Sequence, residues 1–139
     1  FPGTNCADAP VRYDGANTWL LEVLNRLSVK QSKPAATFIL LVFGDAPPNE
    51  QLNQLTSLLP AGLTTPVLQV ASGSLQDSEG RLQERYDGKA GTVYLLRPDQ
   101  HVAARWREFD AIKISRAVKR CIGVFETSGA NLGKKENAA

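Results

Sequence analysis

The chain has 139 residues, of which 42% are hydrophobic and 22% charged, the composition of one ordinary globular domain rather than of a disordered or fibrous polypeptide. Its 16 basic and 14 acidic residues leave a formal charge of +2 and are spread along the sequence, so no extended basic face is offered to a nucleic acid. No apolar run is long enough to cross a bilayer.

A chain that opens on Phe1-Pro2-Gly3 and holds no methionine is expected to be a piece of a longer polypeptide, since neither a basic n-region nor an apolar h-region marks a removed leader. Cys6 and Cys121 are its two cysteines, too few for a disulfide framework and without a metal-ligand spacing. Two free thiols in a reducing cytoplasm are expected. A single bridge stays open for an exported protein, because geometry rather than sequence distance decides whether thiols meet.

Taken in order, Val11 to Tyr13 predicts a short edge strand. Asn17 or Thr18 then caps a helix whose Leu20, Val23, Leu24 and Leu27 fall at helical spacing. After the polar stretch Lys30 to Pro34, the continuous apolar run Phe38 to Phe43 stops at Gly44 and suits a central strand covered on both faces. Pro47-Pro48 opens a second helix with Leu52, Leu55, Leu58 and Leu59 as its buried stripe, and Pro60 ends it. Pro66 introduces a strand over Val67 to Ala71. Ser78 to Tyr86 reads as a short helix bearing Leu82 and Tyr86, broken at Asp87-Gly88.

Thr92 to Leu96 and His101 to Trp106 flank the turn Arg97-Pro98-Asp99-Gln100, where proline presets φ and Asp99 can bond its own backbone. This predicts an antiparallel hairpin. Asp110 caps a closing helix with Ala111, Ile114, Ala117, Val118, Cys121 and Ile122 on one face and Gly123 at its end. The domain is expected to fill residues 1–125, with 126–139 a flexible polar tail.

Parallel crossovers followed by an antiparallel hairpin give an α/β, thioredoxin-like order: a central mixed sheet flanked by helices. The chemistry of that fold requires a Cys-x-x-Cys where the helix after the central strand begins, because the helix N-terminus stabilises a thiolate. Here the place reads Gly44-Asp45-Ala46-Pro47-Pro48. An aspartate cannot form and release a mixed disulfide. The fold's other hallmark, a cis-proline before the hairpin, falls at Gly91. Both halves of the redox site are vacant.

Three segments carry a resemblance: Pro2-Gly3-Thr4 with Ala7-Asp8-Ala9-Pro10, then Phe38 to Gly44, and above all Tyr94-Leu95-Leu96-Arg97-Pro98-Asp99-Gln100-His101-Val102-Ala103-Ala104-Arg105-Trp106. With these the chain resembles the C-terminal domain of flavin-dependent aromatic hydroxylases, the class of phenol and 3-(3-hydroxyphenyl)propionate hydroxylases. The resemblance implies a parent enzyme that uses FAD and NADH or NADPH to insert one oxygen atom into a phenolic ring. It implies no cofactor for this chain, since no Gly-x-Gly-x-x-Gly follows a strand here. No catalytic or metal-binding residue carries over, and the implied partners are the flavin- and substrate-binding domains of the same polypeptide, or a second subunit.

His101, the single histidine, has no companion nucleophile or ligand at a recognisable spacing and reads as a turn-flanking residue. Asp45 and Glu50 read as surface acids matched to a helix dipole, and Trp19 and Trp106 as core. Arg97, Asp99, Arg105 and Arg107 form the candidate contact surface for a domain or subunit. Alternation puts Arg105 and Arg107 opposite Val102, Ala104 and Trp106. Competing functions are a thiol oxidoreductase using Cys6 or Cys121, neither at a helix N-terminus, and a module binding a peptide or small ligand in the vacant groove between Gly44-Asp45 and Gly91.

Overall fold

The computed structural model describes residues 4–30, 37–63, 65–70 and 75–123. Its first element is a hairpin. Strands β1 (Pro10–Tyr13) and β2 (Ala16–Trp19) pair antiparallel, with Tyr13 opposite Ala16. Asp14 and Gly15 between them both have positive φ, 49° and 81°. That is the backbone of a type I′ turn, which suits the twist of paired strands and favours Asp-Gly. The expected edge strand at Val11 to Tyr13 is therefore second from the edge, and Asn17 and Thr18 lie in β2 instead of capping a helix. Helix α1 (Leu20–Lys30) follows β2 directly, and Asp8 takes over the capping role by accepting the N–H of Leu21 at 3.0 Å.

Strand β3 (Ile39–Phe43) is buried at all five residues, as the continuous apolar run predicts for a strand covered on both faces. Helix α2 (Asn49–Leu58) starts after Pro48. Of its expected stripe only Leu55 is buried, while Leu52, Leu58 and Leu59 are half-buried. Then come β4 (Val67–Val70), the two-residue β5 (Leu75–Gln76), α3 (Arg81–Tyr86), β6 (Val93–Leu96) and β7 (Val102–Trp106). Helix α4 covers 111–123. Its first turn is held by Asp110, whose Oδ1 accepts from Lys113 N–H at 3.1 Å, and by Gln51, whose Oε1 accepts from Ala111 N–H at 3.0 Å. The Lys30–Pro34 stretch beyond Lys30, Ala71 and the tail 126–139 lie outside the described residues.

The seven strands form one mixed sheet in the order β2-β1-β5-β4-β3-β6-β7. The β3–β4 and β4–β5 pairs are parallel, and the other neighbours antiparallel. This is the expected architecture with two additions, β2 and β5. Side chains alternate along each strand, so β3 feeds two cores. Ile39, Leu41 and Phe43 pack with Leu20, Val23 and Leu24 of α1 and Leu82 and Tyr86 of α3. Leu40 and Val42 pack with Leu55 of α2 and Ile114, Ala117 and Val118 of α4.

One irregularity matters for the hairpin. Leu95 pairs with Ala104 but Leu96 with Val102, so the register shifts by one residue at Ala103. A bulge of this kind inverts the alternation on one side of it. Val102 accordingly joins the α1–α3 core, while Ala104 and Trp106 pack against the α2–α4 core. The expectation that Val102 shares a face with Ala104 and Trp106 is corrected by that extra residue.

Candidate functional site

The two vacant redox positions meet in space. Gly44 has φ 94° and Gly91 φ 95°, a backbone region that side chains with a Cβ rarely adopt. A Cβ on Gly44 would lie 3.2 Å from the Cα of Ala90 and 3.3 Å from the nitrogen of Gly91. The ladder between β3 and β6 runs on through them, since Gly91 N–H donates to Phe43 O at 2.7 Å and Phe43 N–H to Thr92 O at 2.9 Å. Gln69 Nε2 ties down the Gly44 carbonyl at 2.8 Å. Asp45 and Ala46 are exposed and Pro47 is buried. The peptide bonds at this site are trans, as they are among all described residues. Beside it a cleft of about 410 Å³ is lined by Phe43, Gly44, Val70, Gln76, Asp77, Gln83, Gly88 and Ala90. Among the described residues that line it there is no sulfur, histidine or cationic group, and the ionisable side chain there, Asp77, already caps α3 through Leu82 and Gln83 N–H.

The thiols lie elsewhere. Both cysteines are free. Cys6 is buried beside Tyr86, and burial pushes its pKa up to about 11, against the opposing effect of the Tyr86 hydrogen bond. Cys121 is half-buried and is also raised, again by burial first. A thiol held protonated at neutral pH is a poor nucleophile. Among the described residues no group of three His, Cys, Asp or Glu side chains is placed to hold a metal ion.

Around Cys6 the structure builds a polar thread through the α1–α3 core. Arg105 lies over the Tyr94 ring, 5.9 Å from its centroid. Tyr94 OH donates to Tyr86 O, and Tyr86 OH donates to Ala7 O at 2.6 Å. The Tyr86 and Tyr94 rings meet edge to face at 5.0 Å. Buried hydroxyls are thereby satisfied. The thread binds the segment ahead of β1 to α3, β6 and β7.

The four residues of the candidate contact surface do not form one patch. Arg97 pairs with Asp99 at 2.6 Å, and the Asp99 carboxylate also meets His101 Nδ1 at 3.2 Å. Asp99 therefore bridges two side chains, where a bond to its own backbone was expected. Arg105 and Arg107 are exposed as expected, yet both guanidinium groups are engaged within the chain. Arg107 donates to Asp87 Oδ2 at 2.7 Å, to Asp87 O at 3.1 Å and to the buried Thr92 hydroxyl at 3.0 Å. Asp87 has φ 47°, so the clamp holds a non-glycine residue in the left-handed conformation at the end of α3. Trp106 is half-buried against the α2–α4 core. Trp19, expected in the core, is 53% exposed, because β2 is an edge strand. The Asp14-Gly15 pair is the signal that would have placed it there.

The solved structures now bear on the fold. The chain shares its fold with part of two flavin-dependent monooxygenases. The first is PieE, solved with FAD and substrate, at TM-score 0.67 and 23% identity over 86% of this chain and 19% of that one. The second is aklavinone-11 hydroxylase, solved with FAD and aklavinone, at TM-score 0.59 and 22% identity over 84% of this chain and 20% of that one. The chain thus spans about a fifth of the length of each monooxygenase. A mitochondrial 2-Cys peroxiredoxin from Plasmodium falciparum matches at TM-score 0.53 and 8% identity, over 94% of this chain and 98% of that one. Identities this low establish a shared thioredoxin-like fold. No family model and no curated protein matches the sequence.

Proposed function

We propose that the chain is a non-catalytic C-terminal domain of an FAD-dependent, NAD(P)H-using aromatic-ring monooxygenase, and that it serves assembly, docking against the flavin- and substrate-binding domains or a second subunit. The observation that carries this reading is the pair of matches in which 86% and 84% of this chain correspond to about a fifth of a flavin-dependent monooxygenase. The vacant redox site supports the non-catalytic part. Glycines, an exposed aspartate and prolines occupy the place where thioredoxin chemistry needs a thiolate, and both thiols are held protonated away from it. A cytoplasmic location fits two free thiols.

The coding sequence upstream of Phe1 tests the parent directly. A Gly-x-Gly-x-x-Gly between a strand and a helix is expected there, and the full-length product is expected to purify with flavin absorbance that the 139-residue chain lacks. An upstream region without a dinucleotide-binding pattern, in a product without flavin, would overturn the reading. Insulin-disulfide reduction by the 139-residue chain that vanishes in Cys121→Ser would overturn its non-catalytic part.

The cleft beside Gly44 favours a second reading, a redox-inactive module that binds a peptide or small ligand. Saturable chemical-shift changes confined to Gly44, Gln76, Gln83 and Ala90 on titration with a peptide library would support it.

A further inference from the structure

The outer face of α4 carries charge of one sign. Ala111, Ile114, Ala117 and Val118 bury the inner face in the α2–α4 core. Apart from Gly123 at its end, the exposed residues of the helix are Ile112, Lys113, Arg116, Lys119 and Arg120. At about 100° per residue these five fall within about 120° of the circumference, and they run about 12 Å along the axis. The face therefore holds four cations and no acid, in a chain whose net formal charge is +2.

Neither ion pairing within the chain nor the stability of the helix accounts for this face. Among the described residues the ion pairs of Glu22, Asp87 and Asp99 use Arg26, Arg97, His101 and Arg107, so none of the four α4 cations has a carboxylate partner. The other helices mix their charges, with Glu22 four residues before Arg26 in α1 and Glu84 between Arg81 and Arg85 in α3. On α4, Lys113–Arg116, Arg116–Lys119 and Arg116–Arg120 are like-charge neighbours at helical spacing, each of which weakens a helix. Lys119 and Arg120 suit the negative C-terminal end of the macrodipole, but Lys113 stands in the first turn, where the dipole favours an acid.

We propose that the exposed face of α4 docks an acidic protein surface, whose carboxylates meet Lys113, Arg116, Lys119 and Arg120 and whose apolar recess receives Ile112. Ile112 is 44% exposed at one end of the cationic sector, and an apolar anchor beside a charged rim is the make-up of a protein interface. The same face suits a membrane poorly, because a helix lying on lipid turns its apolar side outward and that of α4 is buried in the core. It suits a nucleic acid poorly as well. Two turns of helix span few phosphates, and the face has no aromatic side chain on which a base could stack. The proposal gives the assembly role proposed above its partner chemistry, and it rests on that role and not on the flavin part.

The probe is a synthetic helical peptide of about four turns with glutamates along one face and a leucine among them. Titrated into the 139-residue chain, it is expected to give saturable amide shifts confined to 112–120, with affinity falling about tenfold between about 50 and 300 mM salt. Arg116→Glu is expected to weaken binding about tenfold or more. Its melting temperature should hold or rise, since three like-charge neighbours become opposite-charge ones. Ile112→Ala is expected to weaken binding about threefold and to keep the salt dependence. Shifts absent from α4, unchanged affinity in Arg116→Glu, or tighter binding to a DNA duplex or to phosphatidylserine vesicles than to the peptide would each overturn the proposal. So would a lowered melting temperature in Arg116→Glu, because the cation would then serve the fold. None of these results bears on whether a flavin-binding sequence precedes Phe1, and the absence of such a sequence would leave the titration as it stands.

Discussion

Arg107 shows how a side chain that looks like free surface charge is committed to the fold. Its guanidinium satisfies the Thr92 hydroxyl, which is fully buried, and spans both the carbonyl and the carboxylate of Asp87. In Arg107→Ala the Thr92 oxygen loses its donor, a cost of about 1 kcal/mol, and the left-handed Asp87 loses its clamp. Arg105→Ala gives up a longer 3.4 Å contact to Tyr94 and a ring interaction at the surface, so thermal melts should show the smaller drop of the two. Acid should reveal the same asymmetry. The Asp87 carboxyl is held below its ordinary pKa, first by the Arg107 hydrogen bond and next by its charge. A carboxyl depressed by folding contributes stability that is complete above its unfolded pKa and is lost as pH falls through the folded one. Below the ordinary carboxylate range, the melting temperature of Arg107→Ala should therefore fall less steeply with pH than that of the wild type. Cys6 gives a third check at this scale. With its pKa near 11 and its side chain buried, mass-resolved alkylation at neutral pH should modify Cys121 first and reach Cys6 only once the chain unfolds. Faster labelling of Cys6 in the native protein would contradict its place in the Tyr86 thread.

At the scale of elements, the vacant redox site owes its shape to two glycines that bring the end of β3 against the start of β6. Gly91 has φ 95°, and a Cβ there would lie 2.9 Å from the Arg107 carbonyl oxygen. Gly91→Ala should therefore cost roughly 2 kcal/mol in a denaturant melt, while Gly123→Ala, whose Cβ would meet nothing within 4 Å, should leave the midpoint nearly unchanged. Equal midpoints for the two would mean that the approach of Gly44 to Gly91 is not under conformational constraint. Most of this layout was legible in the sequence. The run Phe38 to Phe43 suits a strand buried on both faces, the Pro98-Asp99 turn marks the β6–β7 hairpin, and Asp110 marks the start of α4. What escaped has a physical reason in each case. The Asp14-Gly15 turn joins strands of four residues with weak alternation, so the helical spacing from Leu20 onward dominates and the residues of β2 read as a helix cap. Without a strand there, Trp19 reads as a core residue. Strand β5 is two residues long, below what any pattern can signal. The bulge at Ala103 carries no glycine or proline, and strict alternation across it misplaced Val102. The engagement of Arg107 depends on the turn at Asp87-Gly88 approaching the end of β7, a contact 20 residues apart that local spacing does not encode, whereas Arg105 meets Tyr94, its partner across the hairpin.

At the scale of the whole molecule, one sheet divides the interior into two cores that share their strands. Leu41 and Leu40 are adjacent, both with no exposed surface, yet they belong to opposite cores, as do Leu96 and Leu95 in β6. Neither helical layer can leave while β3 and β6 stay ordered, because the exposed face would be a continuous apolar surface. The polar thread from Arg105 through Tyr94 and Tyr86 to Ala7 adds a tie from β7 to the segment ahead of β1. Unfolding should therefore be a single cooperative event. Leu40→Ala and Leu41→Ala remove equal volume from different cores, and each is expected to cost about 2–5 kcal/mol. Backbone circular dichroism should then report the same midpoint as tryptophan fluorescence, which is read from Trp19 on the edge of the sheet and from Trp106 against the α2–α4 core. The outcome that would count against a shared sheet is specific. If Leu41→Ala lowered the circular dichroism midpoint while a second transition persisted at the wild-type position, the α2–α4 core would be stable by itself.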